Sequence, residues 1–136
     1  MEKRKGILNI EYIKIKGENM IPIKQKNLDN PVKGITGDCY RACICSLLEI
    51  SDKGVENFVE NPDYPMNVVA FLKHKGFRLC NNIEQPKGVE FYMAHGVSPR
   101  GIRHSVIYSN GELLYDPHPS NGGVIPDLYL WLEPRN

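Results

Sequence analysis

The chain contains no run of about 18 apolar residues, so no segment of it could cross a bilayer as a helix. It has no excess of charge of either sign. Its 17 Lys and Arg against 16 Asp and Glu leave a net charge of +1, and no overall field argues for nucleic acid or a membrane surface as partner. It has no C-x2-C knuckle. Its four cysteines, Cys39, Cys43, Cys45 and Cys80, crowd mostly into one short segment, unlike a secreted disulfide framework. They read as reduced thiols, and the expected compartment is a cytoplasm. The basic start, Met1 to Ile10, is followed by neither an apolar stretch nor a small-residue cleavage site, so a secretory signal is not expected. Internal repeats, low-complexity tracts and interdomain linkers are also lacking.

What is present suits an ordinary folded domain. The 136 residues are 41% hydrophobic and 24% charged, enough for one core over residues 1–136 without a disulfide or metal staple. Alternation over Ile7 to Lys16 predicts a half-buried strand. Asp29 to Gly37, with Pro31, Gly34 and Gly37, predicts a loop. Cys39 to Ile50 is apolar nearly all round, as in a helix at the centre of a core, with Asp38 or Thr36 as its N-cap. A short second helical turn is expected from Ser51-Asp52. Tyr64 to Lys75 has helical spacing and a stop at Gly76. Strands follow at Phe77 to Cys80, Val89 to Met93 and Leu128 to Leu132. Asn110-Gly111 splits Arg103 to Asp116 into a hairpin. A helix-led front half and a strand-rich back half predict an α+β fold.

Two stretches carry chemistry. In G-D-C-Y-R-A-C, Cys39 opens the helix. A cysteine nucleophile works as thiolate, and the unpaired N–H groups and macrodipole of a helix start favour negative charge there. The backbone N–H of the same residue can face a developing oxyanion. Cys43 and Cys45 fall deeper in the apolar helix, where a thiol is usually inert. Among the histidines, His74 suits a helix end, and His95 closes a strand before a Gly-Val-Ser-Pro loop. His104 opens R-H-S-V-I-Y, and the return run L-L-Y-D-P ends in Asp116.

Strand register decides whether Asp116 can orient His104. A two-residue Asn110-Gly111 turn pairs Ser109 with Glu112 and sets Asp116 opposite Ser105, on the wrong face for His104. A three-residue loop pairs Tyr108 with Glu112 and sets His104 directly opposite Asp116. The three-residue loop is therefore expected, since only a compensating bulge could rescue the other register.

The order helix-borne cysteine, strand histidine, aspartate resembles that of papain-like cysteine peptidases. G-D-C-Y-R-A-C is similar to the nucleophile segment of the bacteriocin-processing peptidase domains of ABC exporters. R-H-S-V-I-Y with L-L-Y-D-P is similar to their His strand and Asp-Pro return. Ser98-Pro99-Arg100-Gly101, His104 and Tyr115-Asp116-Pro117-His118-Pro119 also resemble segments of small phage and bacterial proteins of unclear role.

The resemblance covers most of residues 20–122. It implies a papain-like fold, in which a central helix carrying Cys39 packs on an antiparallel sheet carrying His104 and Asp116. It further implies a bacterial cytoplasm or that of a phage-infected host cell, and an oxyanion glutamine before the cysteine. Gln25 fills that role by resemblance, although it lies 14 positions before Cys39, so the loop between them must fold back. Asn30 or Thr36 is the alternative. The exporter domains carry glycine where this chain has Tyr40.

Arg100 and Arg103, just before His104, are candidates for binding a carboxylate or phosphate of the substrate. No metal site is expected, because C-x3-C-x-C on one helix does not aim three thiolates at one ion. No cofactor is called for. The expected function is peptidase- or amidase-type hydrolysis of a peptide, isopeptide or side-chain amide by a Cys-His-Asp triad. The alternatives are a binding protein on the same scaffold, sequestering an anionic small molecule or inhibiting a host protein, and a structural virion protein.

Overall fold

A computed structural model describes residues 20–135. The strand expected at Ile7 to Lys16 lies outside the described residues. Within them the fold is α+β, with two α-helices and a five-stranded antiparallel sheet. Helix α1 is Cys39–Leu48 and helix α2 is Met66–His74. The strands are β1 (Phe77–Asn82), β2 (Tyr92–Val97), β3 (Arg103–Ser109), β4 (Glu112–Tyr115) and β5 (Ile125–Pro134), arranged β1-β5-β2-β3-β4. No helix among the described residues is long and apolar enough to cross a membrane.

α1 forms where the sequence is apolar on almost every side, and it buries Tyr40 and the run Ala42 to Ser46. Its Tyr40, Cys43 and Ile44 join Phe58, Val68, Leu72, Met93, Ile107 and Leu130 in the core. Phe58 is wholly buried, with the rings of Phe71 and Tyr40 edge-on at 5.2 Å and 6.4 Å. α1 packs on β3 and α2 packs on β1, so the first residue of α1 and the first residues of β3 are brought together.

Some expected boundaries differ. α2 starts at Met66, not Tyr64, because Pro65 takes the N-cap position and a residue before proline is driven out of the helical region. Ser51-Asp52 forms no helix. Asp52 instead closes a turn through Val55 N–H (3.0 Å) and accepts Lys26 Nζ at 3.0 Å.

β2 runs Tyr92–Val97, not Val89 to Met93, and His95 is inside the strand. Gly96 had the look of a loop residue, yet a Cβ there would lie 1.9 Å from the carbonyl oxygen of Ile125 on β5. The glycine permits this close approach, beside a register shift at His95/Gly96. Gly96→Ala is expected to cost about 2 kcal/mol, as for overpacking, because a backbone carbonyl cannot swing aside. A chemical denaturation midpoint equal to wild type would refute this.

The β3–β4 hairpin corrects the expected three-residue loop. Ser109 pairs with Glu112 across a two-residue turn, with Asn110 and Gly111 at φ of 55° and 77°, the left-handed pair that such a turn demands. One step further the register shifts. Tyr108 pairs with Leu113 but Ile107 pairs with Tyr115, so Leu114 is the extra residue of a bulge. Continued from Ile107–Tyr115, this register sets Asp116 opposite Val106, which shares a face with His104. The bulge thus restores the parity that the short turn removes.

Candidate active site

Cys39 is the first residue of α1 and is half-buried. Asp38 stands at the N-cap position, but its side chain makes no cap hydrogen bond, contrary to the capping role expected of it. The fully buried carboxylate turns away. Its Oδ1 accepts Asn27 N–H at 2.8 Å, and its Oδ2 accepts Lys26 N–H at 3.2 Å and Arg41 Nη2 at 2.6 Å. The first-turn N–H groups of α1, which have no intrahelical partner by geometry, are therefore not consumed by that carboxylate.

The same tether brings residues 25–27 beside the helix start. Asp38 N–H reaches Asn27 O at 3.3 Å, and Gln25 N–H reaches Pro117 O at 3.2 Å. The intervening loop folds back on itself through an Asn30–Ile35 bridge and the contact of Gly37 N–H with Asp29 Oδ1 at 2.6 Å. Gln25 thereby lines one cavity with Cys39 and His104, despite its distance in sequence. One amide proton of Gln25 Nε2 goes to Asn27 O at 2.8 Å; a primary amide carries a second. Of the alternatives, Asn30 accepts Lys33 N–H on its Oδ1 at 3.3 Å. Thr36 offers its carbonyl to Asn57. Neither is among the cavity-lining residues.

His104 is 3% exposed and Asp116 2%. His104 Nε2 donates to Asp116 Oδ1 at 2.7 Å, which leaves Nδ1 as the ring nitrogen for a second partner; Cys39 lines the same cavity. Asp116 Oδ1 also accepts His118 N–H, and its Oδ2 accepts Gly123 N–H, each at 2.8 Å. Burial works against the imidazolium of His104. Hydrogen bonding and electrostatic attraction to Asp116 and Cys39 outweigh it and raise the pKa to about 9. Burial likewise opposes the Asp116 carboxylate, but His104 and the two backbone N–H groups hold its pKa below the ordinary value. A charged His104–Asp116 pair at neutral pH follows.

The remaining thiols differ in kind. Burial pushes the pKa of Cys43 well up, helped by the charges of Cys39 and Asp116. Burial and Asp52 push Cys45 up to about 11. Burial and Glu133 raise Cys80. None of the four cysteines is in a disulfide.

The cavity is about 240 Å³ and is lined by Gln25, Leu28, Cys39, Arg100 and His104 among others. That is below the usual range for drug-sized ligands and fits a short side chain or an amide group. The two arginines differ. Arg103 is clamped by Asp127 in a two-pronged exposed pair at 2.7 and 2.8 Å. Arg100 gives Nη1 to Ser120 Oγ at 2.9 Å and, among the described residues, has no carboxylate partner.

His118, not among the candidate site residues of the sequence, lines the cavity with its ring edge-on to His104 at 5.9 Å. The D-P-H-P spacing was the signal for it. His95 belongs elsewhere: its Nδ1 meets the buried Ser105 Oγ at 2.5 Å, and burial holds its pKa near 4.

In comparisons with known proteins, no family model matched the chain, and no curated protein or solved structure matched it.

Proposed function

We propose that the protein is a thiol-dependent hydrolase of the papain-like kind, cleaving a peptide, isopeptide or side-chain amide bond. The observation that carries this reading is one histidine set between a carboxylate and a thiol: His104 Nε2 is bonded to buried Asp116 at 2.7 Å, and Cys39, the first residue of a helix, lines the same cavity as His104. A structural histidine bonded to a buried carboxylate has no need of a half-exposed thiol in the cavity beside it.

The Cys39 sulfur, its proton held by His104, attacks the amide carbonyl and forms an S–C bond. The carbonyl oxygen becomes an oxyanion, met by the backbone N–H of Cys39 and the free amide proton of Gln25. The C–N bond then breaks as the His104 imidazolium protonates the leaving amine. Water, giving its proton to His104, attacks the thioester, and the acid departs with restoration of the thiol–imidazole pair. Asp116 holds the ring in position throughout. Arg100 lines the cavity without a carboxylate partner among the described residues, whereas Arg103 is occupied by Asp127. The four unpaired cysteines support a reducing compartment, such as a bacterial or phage-infected cytoplasm.

A pool of peptides with C-terminal aminocoumarin amides, together with Gln, Asn and isopeptide variants, tests this. Release of the amine, or of ammonia from Gln and Asn, is expected in wild type and not in Cys39→Ala. Its kcat/KM is expected to fall as pH rises through about 9, where His104 loses the proton it must donate. Equal turnover by Cys39→Ala would refute the reading.

A further inference from the structure

The loops around the cavity form a relay that the triad does not use. Ser98-Pro99-Arg100-Gly101 is a tight turn between β2 and β3, closed by Gly101 N–H to Ser98 O and Ser98 N–H to Ile102 O, each at 2.9 Å. It is packed against the loop after β4, where a Cβ on Gly122 would lie 3.2 Å from Pro99. Ser120 of that loop is a junction. Its Oγ accepts Arg100 Nη1 at 2.9 Å and Gly122 N–H at 3.2 Å. A hydroxyl has two acceptor sites and one proton. With both sites taken, the proton is left for His118 Nδ1, at 2.9 Å. Ser120 N–H also points at that nitrogen, at 3.0 Å.

His118 Nδ1 is therefore held as an acceptor, and the ring must carry its proton on Nε2. Protonation at Nδ1 would set it against two donors. Burial, with the charges of Arg100 and His104, also disfavours the imidazolium. Arg100 has five N–H donors, and one is spent on Ser120. Both residues line the cavity that holds Cys39. The positive charge of Arg103 is balanced by Asp127. The cavity's carboxylate, Asp29, is tied to Gly37 N–H on the opposite loop.

We propose that Arg100 and His118, locked together by Ser120, form a carboxylate-recognising subsite, so that the substrate carries a carboxylate next to the amide that is cleaved. This rests on the hydrolase reading of the same cavity and names its substrate class. The two donors are of different kinds: a charged planar fork, and a neutral N–H fixed in direction by the serine.

Two small electrophiles test the subsite without a known substrate. The Cys39 sulfur displaces iodide from iodoacetate and from iodoacetamide, one S–C bond forming as the C–I bond breaks and iodide leaves to solvent; the reagents differ in a carboxylate. The ratio of their second-order rate constants at Cys39, read by peptide mapping, reports the subsite. Iodoacetamide alone reports the thiol. In Arg100→Gln the ratio is expected to drop by about tenfold, the worth of one charge-assisted hydrogen bond; dividing by the iodoacetamide rate of the same variant removes any change in the thiol itself. Arg100→Glu should lower it further. The charge-neutral double variant Arg103→Gln with Asp127→Asn should leave it within about twofold of wild type, since an exposed pair contributes little.

A ratio unmoved by Arg100→Gln and Arg100→Glu overturns the subsite. Iodoacetamide reactivity indifferent to His104→Ala overturns the hydrolase instead, so the two readings fail separately.

Discussion

Replacing Asp38 by Ala is expected to lower the unfolding free energy by about 3–5 kcal/mol, the range for stripping one partner from a buried ion pair. The carboxylate is 0% exposed. Its loss strands the N–H groups of Lys26 and Asn27 and the nearly buried guanidinium of Arg41 together. Each stranded donor keeps its desolvation cost with no partner to offset it. A small domain has only about 5–15 kcal/mol in total, so the denaturation midpoint should move a long way.

The effect should not stop at stability. The same contacts, together with Gln25 N–H to Pro117 O, hold residues 25–27 beside Cys39, so losing them should displace Gln25 from the cavity. Asp38→Asn, which keeps the acceptor oxygen and loses the charge, should cost less than Asp38→Ala. A loss below about 1 kcal/mol in Asp38→Ala would mean that water replaces the carboxylate, and the tether would not be the reason Gln25 lies where it does.

Asp116→Ala should have the second large effect, and its signature is electrostatic. Burial is the strongest influence on His104 and lowers its pKa. The hydrogen bonds to Asp116 and Cys39 reverse it. Without Asp116 the imidazole is expected to titrate below about 9, because burial is then opposed by Cys39 alone. NMR titration of the ring reads this directly. Alkylation of Cys39 at about pH 6 should fall by roughly 100-fold or more, the scale of a lost acid–base partner. The bulged return from β4 should also loosen, because His118 N–H and Gly123 N–H lose their acceptor. Asp116→Asn keeps an acceptor oxygen without the charge, so its titration should fall between the two. A His104 pKa unchanged in Asp116→Ala would show that the carboxylate does not set the charge of the ring.

The parts of this arrangement that were legible in the sequence are those set by local chemistry. An apolar run beginning at Cys39 is a buried helix whichever fold surrounds it. Asn110-Gly111 marks a turn because those residues accept positive φ cheaply. The bulge at Leu114 was not legible. Leu113-Leu114-Tyr115 contains no glycine or proline to advertise an extra residue, so the loop length was misjudged even though His104 and Asp116 meet. Asp38 read as a cap because nothing local reveals that its carboxylate is drawn to a backbone 11 and 12 residues earlier. The β2 boundary failed for a related reason. Gly96 breaks a pattern locally but serves a contact with Ile125 on a strand far along the chain. Ser120, a loop serine by every local measure, gains its role only where two loops meet.

The most direct test of the thiol–imidazole–carboxylate reading is the iodoacetamide alkylation rate of each cysteine, mapped by peptide mass across pH in wild type and His104→Ala. An activated pair predicts that Cys39 reacts fast at about pH 6, where an ordinary thiol with pKa about 8.5 is almost wholly protonated. Cys43 and Cys45, buried and shifted upward, should lag far behind, and the advantage of Cys39 should vanish in His104→Ala. Cys39 reacting no faster than an ordinary thiol, and at the same rate with or without His104, would contradict the reading.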